Sequence, residues 1–586
     1  MLRVQIESLV AGIDGAETIM TTETATIGNL IAGFVFERRL RPEIVADLSL
    51  QDARGNVLKH HRSVSSYELK DGDKVYLAKN DPRVLLGCRN WFALAVAALL
   101  ISLIGFGVVI YMYSRTGVYP FDYVVVIDGG STHTDLYVFQ WHGNKFRGTG
   151  LVEQVARTRC ESRGLENYPE AMEAAKSLNG CLNFASQKVP LASLSSTEIY
   201  LGATAGMRLL QLTNATASNA IMDAVHTLIR GNYGFQYSAA NVGIITGDEE
   251  AADGWMTTNF LAKTLPSEHK PFSYGALDLG GASTQIAFVP YNTTQSNSTT
   301  TLELFSQTYE LYTQSYLCYG LREAERRLKA SLITQQPFHN YIENPCQPLL
   351  NTTVESWDSI FGHYCTRDFP QPGLNGSTYS FHGSSNSTAC RQEVEKLFNT
   401  SSCPYAGCSF DGVSEPPLYG SYMAFSGFYS TMEFLNLTSE ASPSSVHLQA
   451  FRDATDTFCA KNWTEISGLN ASDPHSPFLT MYCFDAHFVD ALLTTGYGFT
   501  NATFTDIKFA KDILQTSVGW PLGLALNSTN ARNDSTPMPM ISTTVFAMLM
   551  VLFAVLLVFA FVFLVRAYRV ARRHRNYEPM STYGAI

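Results

Sequence analysis

The sequence predicts an α/β protein built on a duplicated strand–turn–strand unit and carried between two membrane spans, with a small separate domain ahead of the first span. Three observations predict it. First, Val124-Val125-Val126-Ile127-Asp128-Gly129-Gly130-Ser131-Thr132-His133-Thr134 and Gly275-Ala276-Leu277-Asp278-Leu279-Gly280-Gly281-Ala282-Ser283-Thr284-Gln285 follow one pattern. In each, an apolar strand delivers an Asp, a glycine- and hydroxyl-rich turn follows, and an apolar strand leaves, as in a β-hairpin. Glycines let backbone N–H groups converge on an anion, and an Asp at a strand end can hold a hydrated cation. Second, Phe92 to Tyr113 and Ile541 to Val565 carry no charge and are long enough to cross a bilayer. Third, strand-like runs (Glu198 to Leu201, Val242 to Ile245) alternate with helical ones (Ser218 to Arg230, stopping at Gly231), the pattern of α/β lobes. At 586 residues the chain exceeds one core.

Residues 1 to 80 read as the separate domain. Leu2 to Leu9 forms a strand, Gly12 to Gly15 a turn and Glu17 to Thr24 a second strand. Thr26 N-caps a helix through about Arg38. Asp47 to Leu58 makes a hairpin around Ala53-Arg54-Gly55, and Leu69 to Leu77 supplies a turn and a last strand. This order resembles the ubiquitin-like β-grasp fold, which implies a cytosolic partner for the domain.

Arg83 and Arg89 precede the first span, and Arg566, Arg569, Arg572, Arg573 and Arg575 follow the second. The positive-inside rule then predicts cytosolic termini, a cytosolic tail over 566–586, and a region outside the cytosol between the spans. Asn-X-Ser/Thr sequons run from Asn214 to Asn533, all between the spans, as a glycosylated compartment requires. Of the eleven cysteines all but Cys88 lie there too, an even number suited to disulfides. Cys88 stands at the cytosolic end of a span, where a thiol is open to palmitoylation. The net charge of −11 argues against a nucleic-acid partner. The basic cluster at 566 to 575 is a topology signal that also suits anionic headgroups.

Further chemistry-bearing segments join the two turns. They are Tyr200 to Arg208, the carboxylate-rich Gly247 to Trp255, Tyr422 to Tyr429, Gly496-Tyr497-Gly498-Phe499 and Val518 to Gly523 around Trp520. In this order they resemble the apyrase regions of the ecto-nucleoside triphosphate diphosphohydrolases, over roughly 120 to 530. The two-span layout is similar to that of the cell-surface members. The resemblance implies two RNase H-like lobes of the actin and sugar-kinase type: residues 120–246 with 511–532, and residues 247–510. It implies hydrolysis of nucleoside tri- and diphosphates with Ca²⁺ or Mg²⁺, and a homo-oligomer.

Roles carry over position by position. Asp128 and Asp278 would hold the cation, supported by Thr204, Gln285 and Trp520. Gly130, Ser131, Thr132, His133, Gly281, Ala282 and Ser283 would cradle the terminal phosphates. Glu250 would be the catalytic base, and Tyr497, with Tyr429, would contact the nucleobase. The chain departs from the family at Gly129, Ala251, Ser430 and Pro521. Cysteine order implies Cys160–Cys181, Cys318–Cys365, Cys346–Cys390, Cys403–Cys408 and Cys459–Cys483.

The chemistry suits these residue types independently. Attack of water on a terminal phosphoryl group needs an oriented nucleophile and neutralised charge, which a carboxylate, a cation and N–H donors supply. Two alternatives stay open: a Golgi or endolysosomal nucleoside diphosphatase supporting glycosylation, and a non-catalytic nucleotide receptor. Tyr577-Glu578-Pro579-Met580 resembles a tyrosine-based sorting signal, so cycling between the cell surface and endosomes or lysosomes is expected.

Overall fold

The computed structural model describes residues 1–79, 83–161, 163–265, 273–291, 299–336, 339–371, 377–401, 409–439, 442–468 and 478–574. Two compact units form: Met1–Val118 with Met538–Ile586, and Tyr119–Pro537.

The N-terminal domain contains β1 (Leu2–Ser8), β2 (Ala16–Thr21), α1 (Ile27–Glu37), β3 (Leu48–Gln51), β4 (Val57–Leu58) and β5 (Lys74–Lys79). Its sheet runs β2-β1-β5-β3-β4, with β1 and β5 parallel and the other pairs antiparallel. Val4, Ile6, Leu50, Val75 and Leu77 bury one face against Leu30, Ile31 and Phe34 of α1. Thr26 caps α1 as expected, in a reciprocal capping box with Asn29. β2 ends at Thr21, short of the expected Thr24, because Ala25 N–H closes a turn onto Thr22 O that leads into the cap. The long helix α2 (Arg83–Ser114) and the short β6 (Thr116–Val118) follow.

In the second unit the first sheet takes β7 (Phe121–Gly129), β8 (Thr134–His142) and β9 (Glu153–Glu161). Helices α3 (Ala171–Lys176) and α4 (Asn179–Lys188), then β10 (Glu198–Ala203), α5 (Ala205–Thr213), α6 (Ala215–Asn232) and β11 (Val242–Ile244) follow. The order is β11-β10-β7-β8-β9, parallel on the β10 side of β7 and antiparallel on the β8 side. Val124 to Ile127 are fully buried, alternately toward the two faces, which is why β7 reads as an unbroken apolar run. Helix α6 is longer than the sequence pattern suggests. Asn214 caps it by accepting the Ala217 N–H, and it passes through Gly231 to Asn232.

The second sheet repeats the plan. After α7 (Gly247–Leu261) come β12 (Gly275–Leu279), β13 (Ser283–Phe288), β14 (Thr299–Leu304), β15 (Gln307–Leu317) and α8 (Leu321–Gln335). A satellite three-stranded sheet is made by β16 (Tyr341–Asn344), β17 (Thr352–Ser356) and β18 (Thr378–Gly383), with α9 (Trp357–Phe361) and α10 (Ser387–Glu395). Then β19 (Tyr422–Ser426), α11 (Gly427–Phe434), α12 (Leu448–Cys459), α13 (Trp463–Ile466), α14 (Tyr482–Ala491) and β20 (Ile507–Phe509) complete it. The order is β14-β15-β13-β12-β19-β20, again antiparallel on one side of the Asp-bearing strand and parallel on the other.

After a small hairpin, β21 (Asp512–Ile513) and β22 (Thr516–Ser517), α15 (Trp520–Asn530) packs on α7 between the sheets. Thr257 Oγ1 donates to Gly519 O at 2.6 Å and accepts from Gly523 N at 2.8 Å. This middle layer shares one core with both sheets: Val126, Trp255, Ala276, Phe425, Trp520 and Leu526. Four of the implied disulfides are present: Cys160–Cys181, Cys318–Cys365, Cys346–Cys390 and Cys459–Cys483. Cys403–Cys408 lies outside the described residues.

In the first unit, β23 (Met538–Pro539) pairs with β6 and leads into α16 (Thr543–His574), which lies antiparallel along α2. Trp91 meets Phe563 at one end of the pair and Tyr113 stacks on Phe546 at the other. Ser102 Oγ donates to Phe553 O at 2.6 Å. The segments Asn90–Ser114 and Thr543–Arg569 are long and apolar enough to cross a membrane.

Candidate functional site

Each sheet changes from antiparallel to parallel at its Asp-bearing strand, and the Asp stands at that strand's carboxyl end. Asp128 lies in register with Asp135 on β8 and Gly202 on β10. Asp278 lies in register with Gln285 on β13 and Phe425 on β19. In open α/β sheets the crevice at such a switch point is where ligands bind.

The two turns face each other. A methyl group on Gly281 would stand 2.5 Å from Thr132 Cγ2 and 2.8 Å from Ser131 Oγ, so any larger residue there would push these two side chains of the first turn aside. The second turn is anchored from behind by the start of α8, where Leu321 N–H and Arg322 N–H donate to Gly280 O and Gly281 O. Arg322 is itself held by the buried Asp485, with both carboxylate oxygens 2.7 Å from Nη2. In the first turn, Thr132 Oγ1 contacts His133 Nδ1 at 3.0 Å, and the His133 side chain is 41% exposed. Thr204 is buried, and both its N–H and Oγ1 donate to Gly129 O.

Glu250 enters from α7. Thr246 and Glu249 form a capping box there, so Glu249 is used up in holding the helix start. One residue on, Glu250 turns inward and is buried. Its Oε2 accepts from Arg208 Nη2 at 2.8 Å and Gln285 Nε2 at 2.9 Å. The same two donors reach Ser283 Oγ, at 3.1 Å and 2.7 Å. Thus Gln285, expected in the cation's support, presents its amide nitrogen to Glu250 and Ser283. Glu250 Oε1 takes no hydrogen bond from the described residues, which leaves it open to a water.

The electrostatics are those of carboxylates crowded in a low dielectric. Burial pushes the Glu250 carboxyl up, and the Arg208 guanidinium opposes that. Burial, then the charges of Glu250, Asp135 and Asp278, hold Asp128 well above the usual carboxylate range, against the Trp520 indole hydrogen bond. Asp278 is pushed up to about 7 by burial and by Glu250. Asp128 Oδ1 is buried without a hydrogen-bond donor from the described residues. An unpartnered oxygen among mutually repelling carboxylates fits a hard divalent cation, which takes oxygen ligands and stabilises their ionised form. Trp520 is buried against Gly202, at the same strand ends. Elsewhere among the described residues, Cys390, Cys483 and His487 bring possible ligand atoms together, but both sulfurs are committed to disulfides.

The structure therefore gathers Asp128, Gly130, Ser131, Thr132, Thr204, Glu250, Asp278, Gly281, Ser283, Gln285 and Trp520 around one crevice, with Ala282 in the same turn and His133 at its rim. Tyr497 and Tyr429, expected at the nucleobase, both lie buried in the core of the second sheet. Tyr497 is 3% exposed, ringed by Tyr316 and Phe410, with its hydroxyl 2.9 Å from Thr284 Oγ1. Tyr429 is 2% exposed and donates to Glu433. Both rings serve the second sheet's core, because β13 and the turn after α14 pack tightly there. Sequence reasoning missed Arg208. It stands one helical turn beyond Thr204, so the i, i+4 spacing on α5 was the available signal.

Comparison with known proteins agrees with this geometry. The profile of the GDA1/CD39 (nucleoside phosphatase) family matches residues 120–540. The chain is 37% identical over 448 residues to ectonucleoside triphosphate diphosphohydrolase 1 of Bos taurus, covering 73% of this chain and 85% of that one. It is 32% identical over 504 residues to ectonucleoside triphosphate diphosphohydrolase 3 of Homo sapiens, covering 83% and 94%. Among solved structures, nucleoside triphosphate hydrolases from Neospora caninum match with a TM-score of 0.50 and 15% identity, over 71% of this chain and 94% of that one.

Proposed function

The chain belongs to the GDA1/CD39 (nucleoside phosphatase) family, and on that premise we propose that it is a membrane-anchored apyrase. It hydrolyses nucleoside tri- and diphosphates to monophosphates and phosphate. The observation that carries the reading is Glu250, one oxygen fixed by Arg208 and Gln285 and the other without a hydrogen bond from the described residues, between two Asp-ended strands.

The Gly130–His133 and Gly281–Ser283 turns take the terminal phosphates from opposite sides. Glu250 Oε1 accepts a proton from water as the water oxygen bonds to the terminal phosphorus. The bridging P–O bond breaks, and the nucleoside phosphate leaves with the electron pair. Arg208 keeps Glu250 ionised against its burial and Gln285 keeps it oriented, while Ser283 Oγ accepts from both of these donors. Asp128 and Asp278, with Thr204 and Trp520 beside them, would hold Ca²⁺ or Mg²⁺, whose charge neutralises the phosphate oxygens.

The same reading includes two RNase H-like lobes, 120–246 with 511–532 and 247–510, and a ubiquitin-like fold for residues 1–80. It puts both termini in the cytosol, on the strength of the arginines flanking the spans and the sequons between them, and the enzyme at the cell surface, on the similarity of the two-span layout to that of the cell-surface members. Phosphate release by the purified protein across ATP, ADP, UDP and GDP tests the activity. Nucleotide binding without phosphate release would favour a receptor instead. Activity confined to UDP and GDP would favour the lumenal diphosphatase.

A further inference from the structure

In both sheets the strand lying parallel to the Asp-bearing strand passes directly into a helix, and in both a hydroxyl residue stands at the helix start. In the first sheet β10 leads through Thr204 into α5. In the second, β19 ends on Ser426 and α11 begins at Gly427. Ser and Thr at such a position normally accept an N–H from the first turn of the helix. Neither hydroxyl caps its helix here. Thr204 Oγ1 donates instead to Gly129 O, one residue beyond Asp128. Ser426 stands in register with Leu279, one residue beyond Asp278. Its hydroxyl donates to the Asp278 carboxylate, against the burial and the Glu250 charge that raise that group.

The backbone at Ser426 is strained. The chain turns from strand to helix at this one residue, with φ 54° and ψ −124°, a conformation that costs glycine little and other residues more. The turn has no room to relax. A methyl group on Gly427 would stand 2.7 Å from Leu279 O and 2.9 Å from Leu321 Cδ1, so the start of α11 is pressed against the end of β12. An exposed hydroxyl at a strained position, withheld from the cap and turned to a carboxylate, has that carboxylate as its use. We propose that Ser426 is a positioning residue for the cation, the second sheet's counterpart of Thr204, and that its hydroxyl fixes the orientation of Asp278. The proposal rests on the apyrase reading, in which Asp278 holds Ca²⁺ or Mg²⁺. A hydroxyl bonded to one carboxylate oxygen fixes the plane of the group, leaves the other oxygen to the cation and favours the ionised form the cation needs.

The test is calorimetric titration of the full chain in lipid nanodiscs with Ca²⁺ alone, without nucleotide. The binding event to follow is the one that Asp278→Ala removes. Ser426→Ala keeps the strain and removes the hydroxyl, whereas Ser426→Gly removes both. Each should weaken this Ca²⁺ binding roughly tenfold, the lower end of the range for an outer partner of a ligating group. Each should also shrink the rise in melting temperature that Ca²⁺ produces. Without Ca²⁺ the Gly variant should melt above the Ala variant, because only glycine relieves the strain. Loss of affinity common to both variants, whatever their melting order, assigns the effect to the hydroxyl. Parent-like affinity in either variant, affinity that follows melting temperature instead, or no Ca²⁺ binding by the parent would overturn the proposal. A parent chain that binds Ca²⁺ but releases no phosphate would count against the apyrase reading, and the comparison of Ala with Gly would still decide the role of Ser426.

Discussion

Arg208 and Glu250, 42 positions apart, form a buried ion pair at 2.8 Å, with side chains only 13% and 9% exposed. The pair joins the helix that follows β10 to the helix that packs between the two sheets. Removing one partner of a buried pair leaves the other charge uncompensated. Arg208→Met should therefore raise the Glu250 carboxyl further. A base works only when ionised, so the acid limb of the kcat–pH profile should move to higher pH. Arg208→Lys should restore part of the shift. An unchanged profile in the Met variant, with the fold intact by circular dichroism, would dissociate Arg208 from the base.

Glu250→Gln keeps the shape and both hydrogen-bond donors' neighbour but cannot take a proton. Turnover should fall roughly 10²- to 10⁴-fold, while nucleotide affinity by calorimetry stays close to that of the parent. Near-normal phosphate release would remove Glu250 from the chemistry.

Chelation should stop phosphate release, and Ca²⁺ or Mg²⁺ should restore it; Asp128→Ala and Asp278→Ala should each mimic chelation. The cation requirement should also depend on pH. With burial holding Asp278 at about 7, the cation must displace a proton below that pH. The half-saturating cation concentration should then rise by about tenfold per pH unit as pH falls below 7. Equal half-saturation at pH 6 and pH 8 would contradict a role for Asp278 as ligand.

His487 sets a pH limit on stability. It is 1% exposed, with Nε2 2.9 Å from Ser387 Oγ and Nδ1 without a hydrogen-bond partner among the described residues, and burial holds its imidazole at about 4. The unfolded chain takes up this proton near pH 6.5 and the folded chain does not. Its contribution is therefore complete above pH 6.5 and is lost as pH falls toward 4, by roughly 3 kcal/mol in all. His487→Gln should flatten the fall in urea midpoint between pH 6.5 and 4.5. An equally steep fall in the variant would exclude His487 as the cause.

Tyr497→Phe separates packing from base recognition. Its hydroxyl is bonded to Thr284, whose Oγ1 donates in turn to Asp278 O at 2.7 Å. The variant should lose about 1 kcal/mol of stability, with the order of preference among ATP, ADP, UDP and GDP preserved. A reordered preference would return Tyr497 to the nucleobase.

The sequence by itself determined the local events. Val124 to Asp128 and Gly275 to Asp278 read as buried strands ending at a turn, because each apolar run delivers an Asp and then meets a Gly-Gly pair, Gly129-Gly130 or Gly280-Gly281. The spans, the Thr26 cap and the one-sided sequons were equally legible, since each rests on neighbouring residues. Cysteine pairing was not legible in spacing and came through the resemblance. The tertiary structure alone decided how Arg208, Glu250, Ser283 and Gln285 meet, since they come from α5, α7 and β13. It also decided that Tyr497 faces Thr284 in the core. These contacts depend on how α7 and α15 pack between two twisted sheets. Packing of that kind is fixed by complementary surfaces far apart in the chain, and no local pattern encodes it.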